Sequence, residues 1–168
     1  MEPKFANGYN GRGLALDKMQ QFEAAIRDFT KAIEIEGENA VYWHNRALCF
    51  RNMGLLNESI QDFDIALTID PNSPVLYSNR GHIHRTMKEY QKAIEDYTCE
   101  IKYGGHSSAK AHNNRAFCYA KLNKYEEAIS DYSKVVELDP KNVQAVYNRG
   151  LSLLKSAKYE KVKHSVDI

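Results

Sequence analysis

The sequence predicts an all-α solenoid of helix-turn-helix repeats. Three observations carry that prediction: a 34-residue internal period, apolar residues spaced by three and four within it, and turn-forming residues at fixed offsets. The period emerges when "AIEIEGEN", "ALTIDPNS" and "VVELDPKN" are set under one another. It divides residues 1–168 into one array with repeats at 6–39, 40–73, 74–107 and 109–142, and a partial repeat at 143–168. Ser108 is a single inserted residue.

Each repeat reads as two helices. The first carries apolar or small residues at repeat positions 4, 8 and 11, such as Trp43, Ala47 and Phe50. The second carries them at 17, 20, 21, 24, 27, 28 and 30, such as Tyr125, Ala128, Ile129, Tyr132, Val135, Val136 and Leu138. Such steps mark one face of an α-helix. Short polar links around Gly54 and Asn123 separate the halves, and "DPNS" and "DPKN" stop the second helices with proline. The third repeat departs from this with "GGHS", which predicts a looser connection there. Position 8 is always Gly or Ala (Gly13, Ala47, Gly81, Ala116, Gly150), which lets paired helices approach closely.

With Trp or Tyr at 4, Gly or Ala at 8, aromatics at 11, 17 and 24, Ala at 20 and 27 and Pro at 32, the chain resembles the tetratricopeptide repeat family. The second repeat shows Trp43, Ala47, Phe50, Ser59, Phe63, Ala66 and Pro71. The resemblance implies a right-handed superhelix whose first helices line a concave groove. Repeats of this kind bury their cores only against neighbours. The end "KYEKVKHSVDI" has Lys163 in an apolar slot, so it reads as a fragment's end or one covered by a partner, including a second copy.

Composition bounds the function. A net charge of +1 gives no field that would gather nucleic acid or an anionic membrane, and no apolar run reaches a membrane span's length. The opening segment lacks the layout of a secretory leader. The three cysteines, Cys49, Cys99 and Cys118, read as reduced thiols. An intracellular, cytoplasmic protein is expected. No nucleophile stands with a His and an acid at a catalytic spacing, no phosphate loop is present, and His82 and His84 diverge on a helix. No enzymatic activity, cofactor or metal is expected.

An arginine stands at position 7 of every repeat: Arg12, Arg46, Arg80, Arg115 and Arg149. Position 7 lies on the packed face, where a charge must be paired. Every complete repeat also has Asp at position 23: Asp28, Asp62, Asp96 and Asp131. A structural ladder of Arg–Asp bridges follows. Pairing within a repeat leaves Arg149 without its aspartate. Pairing to the preceding repeat gives Asp131 to Arg149 and leaves Arg12 over. The second is expected, because a first helix packs on the previous second helix. Five arginines facing a ligand is the functional alternative.

Position 6, about 100° away around the helix, is Asn45, Asn79, Asn114 and Asn148. Asparagine is a poor helix-interior residue, but its carboxamide matches a peptide backbone's donor and acceptor. Asparagine rows in the family bind peptide backbones, and the resemblance implies that role for these four. The bland alternative is that each bonds a neighbouring helix. Arg51, Arg85, Lys110, Lys121 and Lys155 make the same arc basic, and His82 and Phe117 add polar and aromatic surface. An extended, acidic peptide with apolar anchors is the expected partner. Of the five positions of the family's carboxylate clamp, only Asn79 and Lys110 match. The alternatives are a complex-assembly or co-chaperone-type module using other surfaces, and a regulatory fragment of a larger protein. His84, in an aromatic core slot, has no explanation from sequence.

Overall fold

A computed structural model describes residues 3–105 and 108–166, with side chains described for 5–105 and 108–157. His106 and Ser107, the second half of the "GGHS" connection, lie outside the described residues, and the Lys163 side chain, with its apolar slot, lies outside the described side chains. The helices are α1 (Pro3–Lys18), α2 (Phe22–Ile35), α3 (Ala40–Asn52), α4 (Leu56–Ile69), α5 (Pro74–Thr86), α6 (Tyr90–Gly104), α7 (Ala109–Lys121), α8 (Tyr125–Leu138) and α9 (Val143–Val166). The chain is an all-α solenoid of helix-turn-helix repeats, and the described residues include no strand. They form two compact units, one ending at Ile83 and the other beginning at His84.

The same turn closes each complete first helix. Position 15 is left-handed in all four repeats, at Gln20 (φ 59°), Gly54 (81°), Lys88 (62°) and Asn123 (60°). The next amide then donates back to the carbonyl at position 11: Gln21 to Leu16, Leu55 to Phe50, Glu89 to His84 and Lys124 to Tyr119, at 2.8–3.0 Å. This 6→1 bond satisfies a carbonyl that the helix end leaves open. Asn39 and Ser108 cap the next helices, accepting from the amides of Val41 and Ala111.

In the first unit α1 packs on α2, and α3 on both α2 and α4. In the second, α7 packs on α6 and α8, and α8 on α9. The pattern at positions 20, 24 and 27 explains the close packing. Position 24 is an aromatic in every complete repeat, and Phe29, Phe63, Tyr97 and Tyr132 are all buried. Burying each is worth about 2 kcal/mol. Position 20 is small and fully buried at Ala25, Ser59, Ala93 and Ala128. Ser59 fits there because its hydroxyl donates to the Ala47 carbonyl at 2.6 Å.

Candidate functional site

Three of the position 7 arginines, Arg12, Arg46 and Arg115, are held within their own repeats. Arg12 donates from Nε and Nη2 to both oxygens of Asp28, at 2.6 and 2.7 Å. Arg46 grips Asp62 the same way at 2.7 and 2.8 Å, and Arg115 grips Asp131 at 2.7 and 2.8 Å. This corrects the expected pairing to the preceding repeat. Asp131 is taken by Arg115, and His112 Nδ1 lies 2.8 Å from the same Oδ1 that Arg115 Nη2 reaches, so Asp131 is engaged inside its own repeat. The reason is geometric. The two helices of a repeat run antiparallel, and 16 residues of separation brings positions 7 and 23 level.

The remaining nitrogen does reach backward. Nη1 of Arg46 donates to Thr30 Oγ1 at 3.0 Å, Arg115 to Thr98 at 3.1 Å, and Arg80 to Asp64 at 2.6 Å. All three acceptors stand at position 25 of the preceding repeat. At Arg46 and Arg115 one guanidinium therefore ties three helices together. Each arginine also lies over an aromatic at position 4 or 11: Arg46 over Trp43 and Phe50, Arg80 over Tyr77, and Arg115 over Tyr119, at 5.0–5.9 Å. The aspartates Asp28, Asp62, Asp96 and Asp131 are all buried.

His84 now has a reason. Its Nδ1 lies 2.7 Å from Glu89 Oε2 and its Nε2 3.8 Å from the buried Asp96 carboxylate. A ring that can serve two carboxylates replaces the usual apolar aromatic. The hydrogen bond from His84 holds Glu89 below the usual carboxylate range.

The position 6 asparagines are all hydrogen-bonded to neighbours. Asn45 donates to Asn10 Oδ1 at 2.8 Å. Asn79 accepts from Arg51 Nη1 at 3.1 Å and donates to the Val75 carbonyl at 2.9 Å. Asn114, buried, accepts from Arg85 Nη1 at 2.9 Å. Asn148 accepts from Gln144 Nε2 at 3.1 Å. Arg51 and Arg85 thus stand at position 12 and reach forward to the next repeat's asparagine. Both were expected as basic rim charges, and both are engaged within the protein. Sequence reasoning missed this link. Its signal was present: arginine at position 12 occurs in repeats two and three, each followed by asparagine at position 6 of the next.

Lys110, Lys121 and Lys155 are exposed, and no ion pair joins any of them to a described residue. His82 is exposed on α5. Phe117 is half-buried, with Arg85 5.6 Å and Lys121 Nζ 5.2 Å from its ring centre and Tyr90 edge-on at 6.4 Å. Among the described residues no group of three or more His, Cys, Asp and Glu could hold a metal, and no helix is long and apolar enough to cross a membrane.

The comparisons agree with this architecture. A comparison with curated protein sequences gives no match. Among solved structures, the crystal structure of MamA protein superposes with a TM-score of 0.86 at 21% identity, covering 96% of this chain and 88% of that one. YrrB, described as a TPR protein with an unusual peptide-binding site, gives 0.80 at 20% identity, covering 95% and 81%. The first TPR of Spaghetti (RPAP3), bound to the HSP90 peptide SRMEEVD, gives 0.65 at 27% identity, covering 71% and 94%. Tetratricopeptide repeat models match residues 6–39, 40–73, 75–98 and 109–142, so the chain belongs to the tetratricopeptide repeat family.

Proposed function

We infer that the chain is a protein-interaction module that binds an extended, acidic peptide segment along the exposed faces of its first helices, with no reaction of its own. The observation that carries this reading is the unneutralised set Lys110, Lys121 and Lys155, on α7 and α9, the latter also carrying the partly exposed carboxamide of Asn148. Exposed ammonium groups beside amide donors and half-buried aromatic surface suit a carboxylate-rich segment with apolar anchors. Two similar structures support it: YrrB is described by its peptide-binding site, and the Spaghetti domain holds a peptide with two glutamates and an aspartate. Lys110 and Asn79 alone match the family's carboxylate clamp, so the peptide is gripped differently here. The module needs neither cofactor nor nucleic acid, and works in the cytoplasm.

Affinity capture with the wild type and an Asn79→Ala, Asn114→Ala variant tests this reading. Partner capture falls in the variant while its thermal unfolding stays cooperative. Undiminished capture by a folded variant would exclude these faces.

A second reading rests on α9. Val146, Leu153 and Leu154 are 44%, 51% and 65% exposed, an apolar surface suited to self-association or complex assembly. Sedimentation equilibrium separates the two. A concentration-dependent dimer abolished by Leu153→Glu favours the second.

A further inference from the structure

Two of the repeat junctions carry a plug that a third lacks. Arg51 fills the space before Asn79, and Arg85 the space before Asn114. In both, a position 12 guanidinium donates to the position 6 carboxamide oxygen of the next repeat. At the junction of the fourth and fifth repeats the same register pair is Ala120 and Asn148. Alanine has nothing to reach with. A cavity of about 220 Å³ takes the guanidinium's place, bounded by Phe117, Lys121, Tyr132, Asn148, Leu151 and Lys155.

The lining has a definite sign. Lys121 and Lys155 stand at the same repeat position, 13, one repeat apart on α7 and α9. Both line the same cavity, so the two long side chains can converge on one small anion. No carboxylate lines the cavity. A cationic side chain mimicking Arg85 is disfavoured by the two ammonium groups. Asn148, whose oxygen accepts from Gln144, adds a polar carboxamide to the lining. Phe117, Leu151 and the ring of Tyr132 make the rest apolar.

We propose that this cavity is a carboxylate pocket, receiving one acidic side chain or a free chain terminus together with the apolar group beside it. The proposal rests on the peptide-binding reading and names the place where the acidic partner is anchored. The carboxylate bridges Lys121 and Lys155, and the adjoining hydrocarbon lies on Phe117 and Leu151. The neighbouring junctions, closed by Arg51 and Arg85, contribute surface without such a pocket.

Three fluorescein-labelled peptides test it by anisotropy. The first mixes leucine and glutamate and ends in an amide. The second has glutamine for glutamate and a free terminal carboxylate. The third has glutamine and an amide. The wild type binds at least one of the first two about tenfold more tightly than the third. Whichever of the two wins identifies the source of the carboxylate. Lys121→Ala with Lys155→Ala, both exposed and safe to truncate, removes that preference.

Ala120→Arg is the decisive variant, because it rebuilds the missing plug. It adds positive charge yet weakens the preferred peptide about tenfold, through occupation of the cavity. Binding to a folded Ala120→Arg variant that is unchanged or tighter overturns the pocket. So does equal wild-type binding of all three peptides, or of none. The broader reading is judged separately. If Asn79→Ala, Asn114→Ala abolishes partner capture while Ala120→Arg leaves peptide binding intact, the peptide-binding faces stand and this pocket falls.

Discussion

Arg46 holds both carboxylate oxygens of Asp62 with two parallel hydrogen bonds, at 2.7 and 2.8 Å, and Asp62 is 4% exposed. A buried carboxylate with its bidentate partner removed has no compensation for lost hydration. Arg46→Leu therefore destabilises the fold by about 3 kcal/mol. Adding Asp62→Leu recovers a large part of that, since the orphaned charge goes with it. Thr30→Val, which removes only the backward contact from Nη1, costs about 1 kcal/mol. Urea unfolding of the four proteins measures all three. If Arg46→Leu matched the wild type, the Arg–Asp ladder would not be a structural element.

The ladder shows what the sequence could and could not reveal. Arginine at 7 and aspartate at 23 recur in strict register, so a set of ion pairs was legible. Which partners meet was not, because that depends on how two antiparallel helices align across a turn. The forward reach of Arg51 and Arg85 was hidden for a related reason. A helical wheel places position 12 on the exposed arc, yet a long side chain can lie down along its neighbour. His84 was opaque until Glu89 and Asp96 were seen on either side of it. The repeat architecture was legible throughout because each repeat states the same pattern again.

Position 8 separates two glycines with the same register and different surroundings. A Cβ built on Gly13 would lie 2.7 and 2.9 Å from carbons of the buried Phe29 ring. The ring is packed on all sides and has little room to yield, so Gly13→Ala costs about 1–3 kcal/mol. Gly150 has nothing within 4 Å. Gly150→Ala there gains helix propensity of up to about 1 kcal/mol. Thermal melts of the two variants should move in opposite directions. A shift of the same sign in both would contradict the packing described at Gly13.

The cysteines differ in reach. Burial pushes the Cys49 thiol up to about 12 and the Cys118 thiol up to about 11. Thiolate is the reactive form, so neither reacts appreciably near neutral pH. Cys99 is only partly buried. Titration with a chromogenic disulfide at pH 8 labels Cys99 first, and the other two follow only on addition of denaturant. Loss of the fast phase in Cys99→Ser confirms the assignment. Three thiols reacting at one rate in the native protein would refute it.

Acid should act on the ladder in a predictable direction. The hydrogen bonds from Arg12 hold Asp28 below the usual carboxylate range, and those to Glu89 act the same way. A carboxylate lowered on folding binds fewer protons in the native state than in the unfolded chain. Its contribution is therefore complete above the ordinary value of about 4, and is lost as pH falls through the lower native value. Asp28 is the cleaner probe, because its guanidinium partner does not titrate in this range. Asp28→Asn lowers the urea midpoint relative to wild type at pH 7. The gap holds to about pH 5 and narrows steadily below about pH 4. A gap that stayed constant down to pH 2 would mean that ionisation of Asp28 contributes nothing to stability.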